Sequence, residues 1–117
     1  MRTQPLFIAL ALLALAGCAS DPAPEEQMRL TEQALEQAKA VGATDDVAEL
    51  KLAEDKLARA KSNMASESFR DARMRAEQAE LDARLAEAKV LTLKSQEQLT
   101  LLQSRVDRLR KQLGEQQ

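Results

Sequence analysis

The chain has 117 residues, 31% of them charged and 2% aromatic, with a formal net charge of -2, so it holds one domain with a thin core. The absence of His and the single Cys exclude Ser-His and Cys-His catalytic pairs, an intrachain disulfide and a conventional structural zinc site, and the balanced charge leaves no electrostatic footprint for nucleic acid. Aromatic and β-branched residues are scarce, whereas Ala, Leu, Glu, Gln, Lys and Arg dominate, which predicts an all-α chain. Its many carboxylates are expected on solvated helix faces, so no enzymatic activity, metal or cofactor is expected.

Met1 to Gly17 reads as a targeting segment. Arg2 gives a positive start, and Leu6 to Leu15 is an apolar run that spans roughly 15 Å as a helix, half a bilayer core. A secretory signal peptide over residues 1–17 fits better than a membrane crossing. Leu15-Ala16-Gly17-Cys18 closely resembles the bacterial lipobox. That resemblance implies that Leu15, Ala16 and Gly17 are read by the signal peptidase and that Cys18 becomes the first mature residue, with diacylglycerol on its sulfur and an acyl chain such as palmitate on its amine. The competing reading is a plain signal peptide with a chance cysteine. Each buried methylene contributes about 0.8 kcal/mol, and two or more chains suffice for stable anchoring. Ala19 follows Cys18, where an Asp would resemble an inner-membrane retention signal, so the expected location is the periplasmic face of the outer membrane. Residues 18–23 form a tether reaching less than about 20 Å, so the helical domain, residues 24–117, begins close to the headgroups.

Pro24 suits a first helical position, and Glu25 and Glu26 complement the helix dipole. The first helix is expected to run to Val41, with Leu30, Ala34, Ala38 and Val41 facing inward and Leu35 beside them. Gly42 fits a left-handed cap. Asp46 followed by Glu49 resembles a capping box. The second helix is expected over residues 47–64, with Leu50, Ala53, Leu57, Ala60 and Met64 inward. Ser62, Asn63 and Ser66 to Ser68 weaken it, and Ser66 or Ser68 can cap the next helix; without Gly or Pro there, one bent helix over residues 47–113 is the alternative.

From Phe69 to Leu113 no Pro or Gly intervenes. Phe69, Ala72, Ala76, Ala79, Ala83, Ala86, Val90 and Leu93 recur at steps of three and four, and after a slip in phase Leu99, Leu102, Val106, Leu109 and Leu113 resume the rhythm of a left-handed coiled coil. The expected architecture is an elongated helical hairpin or three-helix bundle with a long C-terminal coiled-coil helix. Acid-before-base pairs (Asp55 with Arg59, Asp71 with Arg75, Glu80 with Arg84, Asp107 with Lys111) support continuous helix at a few tenths of a kcal/mol each. Arg105, Arg108, Arg110 and Lys111 give the last stretch a basic cluster, which either complements the helix C-terminus or attracts anionic wall polymer or an acidic partner.

Ala38-Lys39-Ala40-Val41-Gly42-Ala43, then Leu50, Ala53, Leu57 and Ala60, then Phe69-Arg70-Asp71-Ala72-Arg73 with Ala76, Ala79, Asp82-Ala83 and Ala86, resemble the domain of unknown function 4398 family of small, alanine-rich envelope lipoproteins. Family members often begin the second helix with a Tyr-Ala-Pro-like run, where this chain has Asp45-Asp46-Val47. The resemblance implies no enzymatic role and an association with OmpA-like peptidoglycan-binding modules. The major murein lipoprotein is also a short helical lipoprotein, but it attaches to peptidoglycan through a C-terminal Lys, and this chain ends in Gly114-Glu115-Gln116-Gln117.

The expected function is that of a non-enzymatic, lipid-anchored structural or interaction element of the envelope. The first two helices are expected to cover the proximal half of the long one. The distal seam, Leu99 to Leu113, then pairs with another copy or a different helical envelope protein. The alternatives are a peptidoglycan-associated module, or an accessory subunit of a cell-wall enzyme.

Overall fold

The structure is a computed structural model and describes residues 21–114. Its elements are three α-helices, α1 (Glu25–Ala40), α2 (Ala48–Ala65) and α3 (Phe69–Gly114). The expected all-α hairpin-like bundle is thus what forms, and its boundaries fall within one residue of those read from periodicity. At 46 residues and 1.5 Å per residue, α3 is a rod of about 69 Å.

Pro24 stands one position earlier than expected. It is the N-cap of α1, and its carbonyl accepts the Met28 N–H at 3.0 Å. At the other end Gly42 takes φ 102°. Ala43 N–H donates to Ala38 O and Gly42 N–H to Lys39 O, both at 2.9 Å, which is the Schellman arrangement that satisfies the last carbonyls of a helix. Lys94 of α3 donates to Val41 O at 2.6 Å, placing a cation on the negative end of the α1 dipole.

The stretch at residues 62–68 is a turn, not a bend in one helix. Ser68 N–H donates to Asn63 O at 2.9 Å and Glu67 N–H to Met64 O at 3.1 Å, so α2 ends in the same motif as α1. Here a glutamate carries the left-handed conformation, with φ 57°. That geometry is easy for Gly and costs other L-residues about 1–2 kcal/mol. Glu67→Gly is therefore expected to stabilise the bundle by about 0.5–1 kcal/mol, raising the midpoint of thermal unfolding by about 2–8 °C. An unchanged or lowered midpoint in circular-dichroism melts counts against strain at this turn.

Asp46 and Glu49 do not form a capping box. Val47 is the N-cap of α2, in extended conformation and without a side-chain cap bond. Glu49 pairs instead with Lys89 of α3 and accepts from its own backbone N–H, not from that of Asp46.

Inter-helix pairs set the orientation. Lys39 to Glu54 at 2.8 Å and Lys61 to Glu32 at 2.7 Å make α1 and α2 antiparallel. Lys56 to Asp82 at 2.5 Å, with Lys89 to Glu49, makes α2 antiparallel to α3. α1 consequently runs parallel to α3, with Gln27 on Glu80 at 2.7 Å near one end and Lys94 on Val41 at the other. Of the four predicted pairs within a helix, Glu80 and Arg84 close at 2.5 Å. Asp107 leans towards Arg110 at 3.9 Å in place of Lys111, and Arg75 turns to Gln78.

The core is the predicted one along most of α2 and α3, with Met64 and Phe69, expected to face inward, only half-buried at the turn between these helices. Leu50, Ala53, Leu57 and Ala60 of α2 are buried, as are Ala72, Ala76, Ala79, Ala83, Ala86 and Val90 of α3. Alternation of leucine with alanine lets α2 interdigitate against an alanine stripe that permits close helix approach. On α1, Ala34, Leu35 and Ala38 are buried as expected, but Leu30 is only half-buried and its neighbour Thr31 is fully buried. Thr31 Oγ1 lies 2.8 Å from Gln27 O and 2.9 Å from Ala76 O, so its single proton serves either carbonyl. A hydroxyl at a core position was missed because the apolar pattern skips Thr. The step from Thr31 to Ala34 and Ala38 holds the signal once polar residues are counted.

Candidate interaction surface

Beyond Val90 no residue of α3 is buried. Leu93, expected to continue the inner stripe, is 58% exposed, because the bundle already ends where Lys94 closes the turn after α1. Residues 91–114 form a bare arm of roughly 36 Å. Leu99, Leu102, Val106, Leu109 and Leu113 all lie exposed on it, as the sequence pattern anticipates for a seam without an intrachain partner.

The apparent slip in phase has a structural explanation. Two seams share α3, on opposite faces. The inner seam is Ala79, Ala83, Ala86 and Val90; moving each position on by two residues, a rotation of about 200°, reaches Leu81, Leu85, Ala88 and Thr92, all of them exposed. From Leu81 the steps alternate four and three without interruption through Ser95 to Leu99, Leu102, Val106, Leu109 and Leu113. The distal seam is thus the continuation of an outer seam that begins on the back of the bundle. Leu81 at 68% and Leu85 at 49% exposure belong to the same surface as the arm. The sequence reading missed them because it followed a single stripe.

The basic residues are all exposed, but at 100° per residue Arg105, Arg108, Arg110 and Lys111 are spread around the helix. They encircle the arm near its end and do not make one flat patch.

Two carboxylates at the edge of the bundle are tuned by neighbouring helices. The Gln27 amide donating to Glu80, followed by Arg84, holds the Glu80 carboxyl below its ordinary value of 4.5. Lys89, followed by Glu49's own backbone N–H, does the same for Glu49. A carboxyl depressed in the folded state contributes stability that is complete above its unfolded pKa and is lost as pH falls through the folded one. The thermal midpoint is therefore expected to hold above about pH 4.5 and to drop on further acidification, with a shallower drop for Glu80→Gln. Identical pH profiles for the variant and the parent would remove Glu80 from the account.

Leu15, Ala16, Gly17 and Cys18 lie outside the described residues, as do Glu115, Gln116 and Gln117. Among the described residues no helix is long and apolar enough to cross a membrane, and no group of metal-ligating side chains converges. A groove of about 530 Å³ between α1 and α2 is lined by Glu32, Glu36, Glu54, Lys39 and Lys61 around Leu35 and Leu57. The Lys39–Glu54 and Lys61–Glu32 pairs match four of these five charges, and the fifth, Glu36, is an exposed carboxylate, so no set of free groups converges there on a ligand.

No curated protein matches the chain. A crystal structure of a DUF4398 family protein from Pseudomonas aeruginosa PAO1 is 72% identical, covers 82% of this chain and 100% of its own, and superposes with a TM-score of 0.79. The profile of DUF4398, a domain of unknown function, matches residues 26–102, a span that includes the three-helix bundle and the first part of the bare arm. The chain belongs to the DUF4398 family.

Proposed function

We propose that this protein is a lipid-anchored element of the bacterial cell envelope that works by holding a helical partner, not by catalysis. The observation that carries the reading is the parallel course of α1 and α3. α1 starts within a few residues of Cys18, and the bare arm of α3 extends from the opposite end of the bundle. An anchor on Cys18 at the periplasmic face of the outer membrane would thus hold the bundle near the lipid. With α3 upright, its arm would carry the leucine seam towards the periplasm. The reading makes the membrane the first partner, through the lipid on Cys18. The second is a helix seated on Leu99, Leu102, Val106, Leu109 and Leu113, from this chain or from another envelope protein such as an OmpA-like one.

Metabolic labelling with a palmitate analogue, followed by intact mass, tests the anchor. The expected product lacks residues 1–17, carries acyl chains and fractionates with the outer membrane, whereas Cys18→Ser is unlabelled and is released from membranes. Recovery of the parent protein with residues 1–17 in place or with a free thiol would overturn the reading.

A further inference from the structure

We infer that the occupant of the outer seam is a second copy of this chain, packed antiparallel so that the two arms cross side by side and the end of each lies along the back of the other's bundle. This inference rests on the seam described above, and it stands whether or not Cys18 is lipidated.

The seam from Leu81 to Leu113 is longer than the three to four heptads that mark a coiled coil; α2 reaches its flank at Asp82 and Lys89, but among the described residues its positions are all exposed. Its sizes are unevenly distributed. Leucine occupies both ends, while Ala88, Thr92 and Ser95 stand together in the middle. A parallel, in-register pair would stack each of these small residues on itself, leaving three thin layers in succession, at a cost in lost packing. An antiparallel pair centred near Glu97 removes that defect. Leu81 then meets Leu113 of the second copy and Leu85 meets its Leu109, while Ala88, Thr92 and Ser95 face Val106, Leu102 and Leu99. Every small residue lies opposite a large one, the interdigitation that close packing requires.

Charge selects the same arrangement. In a coiled coil the residues flanking the seam decide orientation and register. Parallel in-register pairing sets Arg105 against Arg110 of the second copy and Arg84 against its Lys89. In the antiparallel register centred near Glu97 no like charges face each other, and Arg110 comes to Asp82, whose Oδ2 already holds Lys56. Sliding the antiparallel pair by one heptad either way restores a clash, Lys89 against Arg110 in one direction and Arg84 against Arg105 in the other. Self-complementarity of one surface patch is what a two-fold dimer demands. The overlap is about 50 Å of helix, and it covers the arm that is bare in the monomer.

Two single-cysteine additions in the full chain, purified in detergent, test the proposal: Leu85→Cys carrying one affinity tag and Leu109→Cys carrying another. Mixed and mildly oxidised, they are expected to give a heterotypic disulfide joining positions 85 and 109, identified by peptide mass so that any bridge through Cys18 is recognised. Each variant alone is expected to give at least ten-fold less dimer through its introduced cysteine. Homotypic bridges of Leu85→Cys and Leu109→Cys without the heterotypic one would establish a parallel pair and overturn the antiparallel arrangement. A parent protein that sediments as a monomer at tens of micromolar would overturn self-association, while leaving the lipid anchor and a different helical partner standing. An unacylated Cys18 together with the 85–109 bridge would have the opposite meaning, sinking the anchor and sustaining the dimer.

Discussion

Replacing Ala79 by Leu is expected to lower the midpoint of thermal unfolding by about 5–20 °C. Ala79 has no exposed surface and belongs to the cluster in which α1, α2 and α3 meet. Three added heavy atoms have no room there, and overpacking a close-packed core costs about 1–3 kcal/mol. A bundle held by small residues has few alternatives to moving whole helices apart, which would also stretch the Thr31 contact with Ala76 O and the Lys56–Asp82 and Glu49–Lys89 pairs. Ala58→Leu provides the control, because Ala58 is exposed on α2 and leucine is a comparably good helix former; its midpoint should stay near the parent's. Circular-dichroism melts of both variants in the same buffer check the prediction, and equal midpoints would mean that the alanine stripe is not where the helices close.

The second large effect concerns the other face of the same helix. Changing Leu102, Val106 and Leu109 together to Ser is expected to abolish association through α3 and leave the bundle's own unfolding nearly unchanged. These side chains are 53%, 44% and 58% exposed, so a monomer loses little buried area when they are truncated. In an assembly they form consecutive layers, and changing them removes three of the seven large apolar side chains of the seam, each worth about 25 cal/mol per Å² of apolar surface it buries. Sedimentation velocity and pull-down of the triple variant beside the parent measure the first part, and melts at low protein concentration the second. Association equal to the parent's would show that the outer seam is not the contact. A collapse of the melt would show that the arm supports the bundle from within.

These two expectations bear on opposite faces of α3 for a reason that lies in the helix repeat. A position two residues on from a seam residue sits on the far side, so a 46-residue helix can carry one set of contacts inward and another outward over the same turns. The inward set is made of alanines and can be approached closely. The outward set carries large apolar residues at both ends, Leu81 and Leu85 and then Leu99 to Leu113, all exposed among the described residues, and large exposed apolar stripes on a small protein mark sites of association.

The heptad rhythm, the helix-forming composition and the punctuation at Gly42 determined the all-α class and the helix ends to within a residue, but left a turn or a bent helix open at residues 62–68, which the structure resolves as a turn. The same pattern determined which faces of α2 and of the first half of α3 turn inward, because local propensity and periodicity act along one chain and need no knowledge of neighbours. Tertiary structure alone decided the rest. Glu49 pairs with Lys89, far along the chain, in place of the expected capping box. The turn at Glu67 formed although a glutamate had to adopt the left-handed conformation there, since packing α2 against the alanine stripe outweighs a local strain of about 1–2 kcal/mol. Thr31 entered the core in place of Leu30 because a carbonyl on another helix was within reach of its hydroxyl. The distal leucines proved continuous with Leu81 and Leu85 only once the bundle showed which side of α3 was already covered. Which side is covered depends on contacts between residues far apart in the chain, and a one-dimensional pattern carries no term for them.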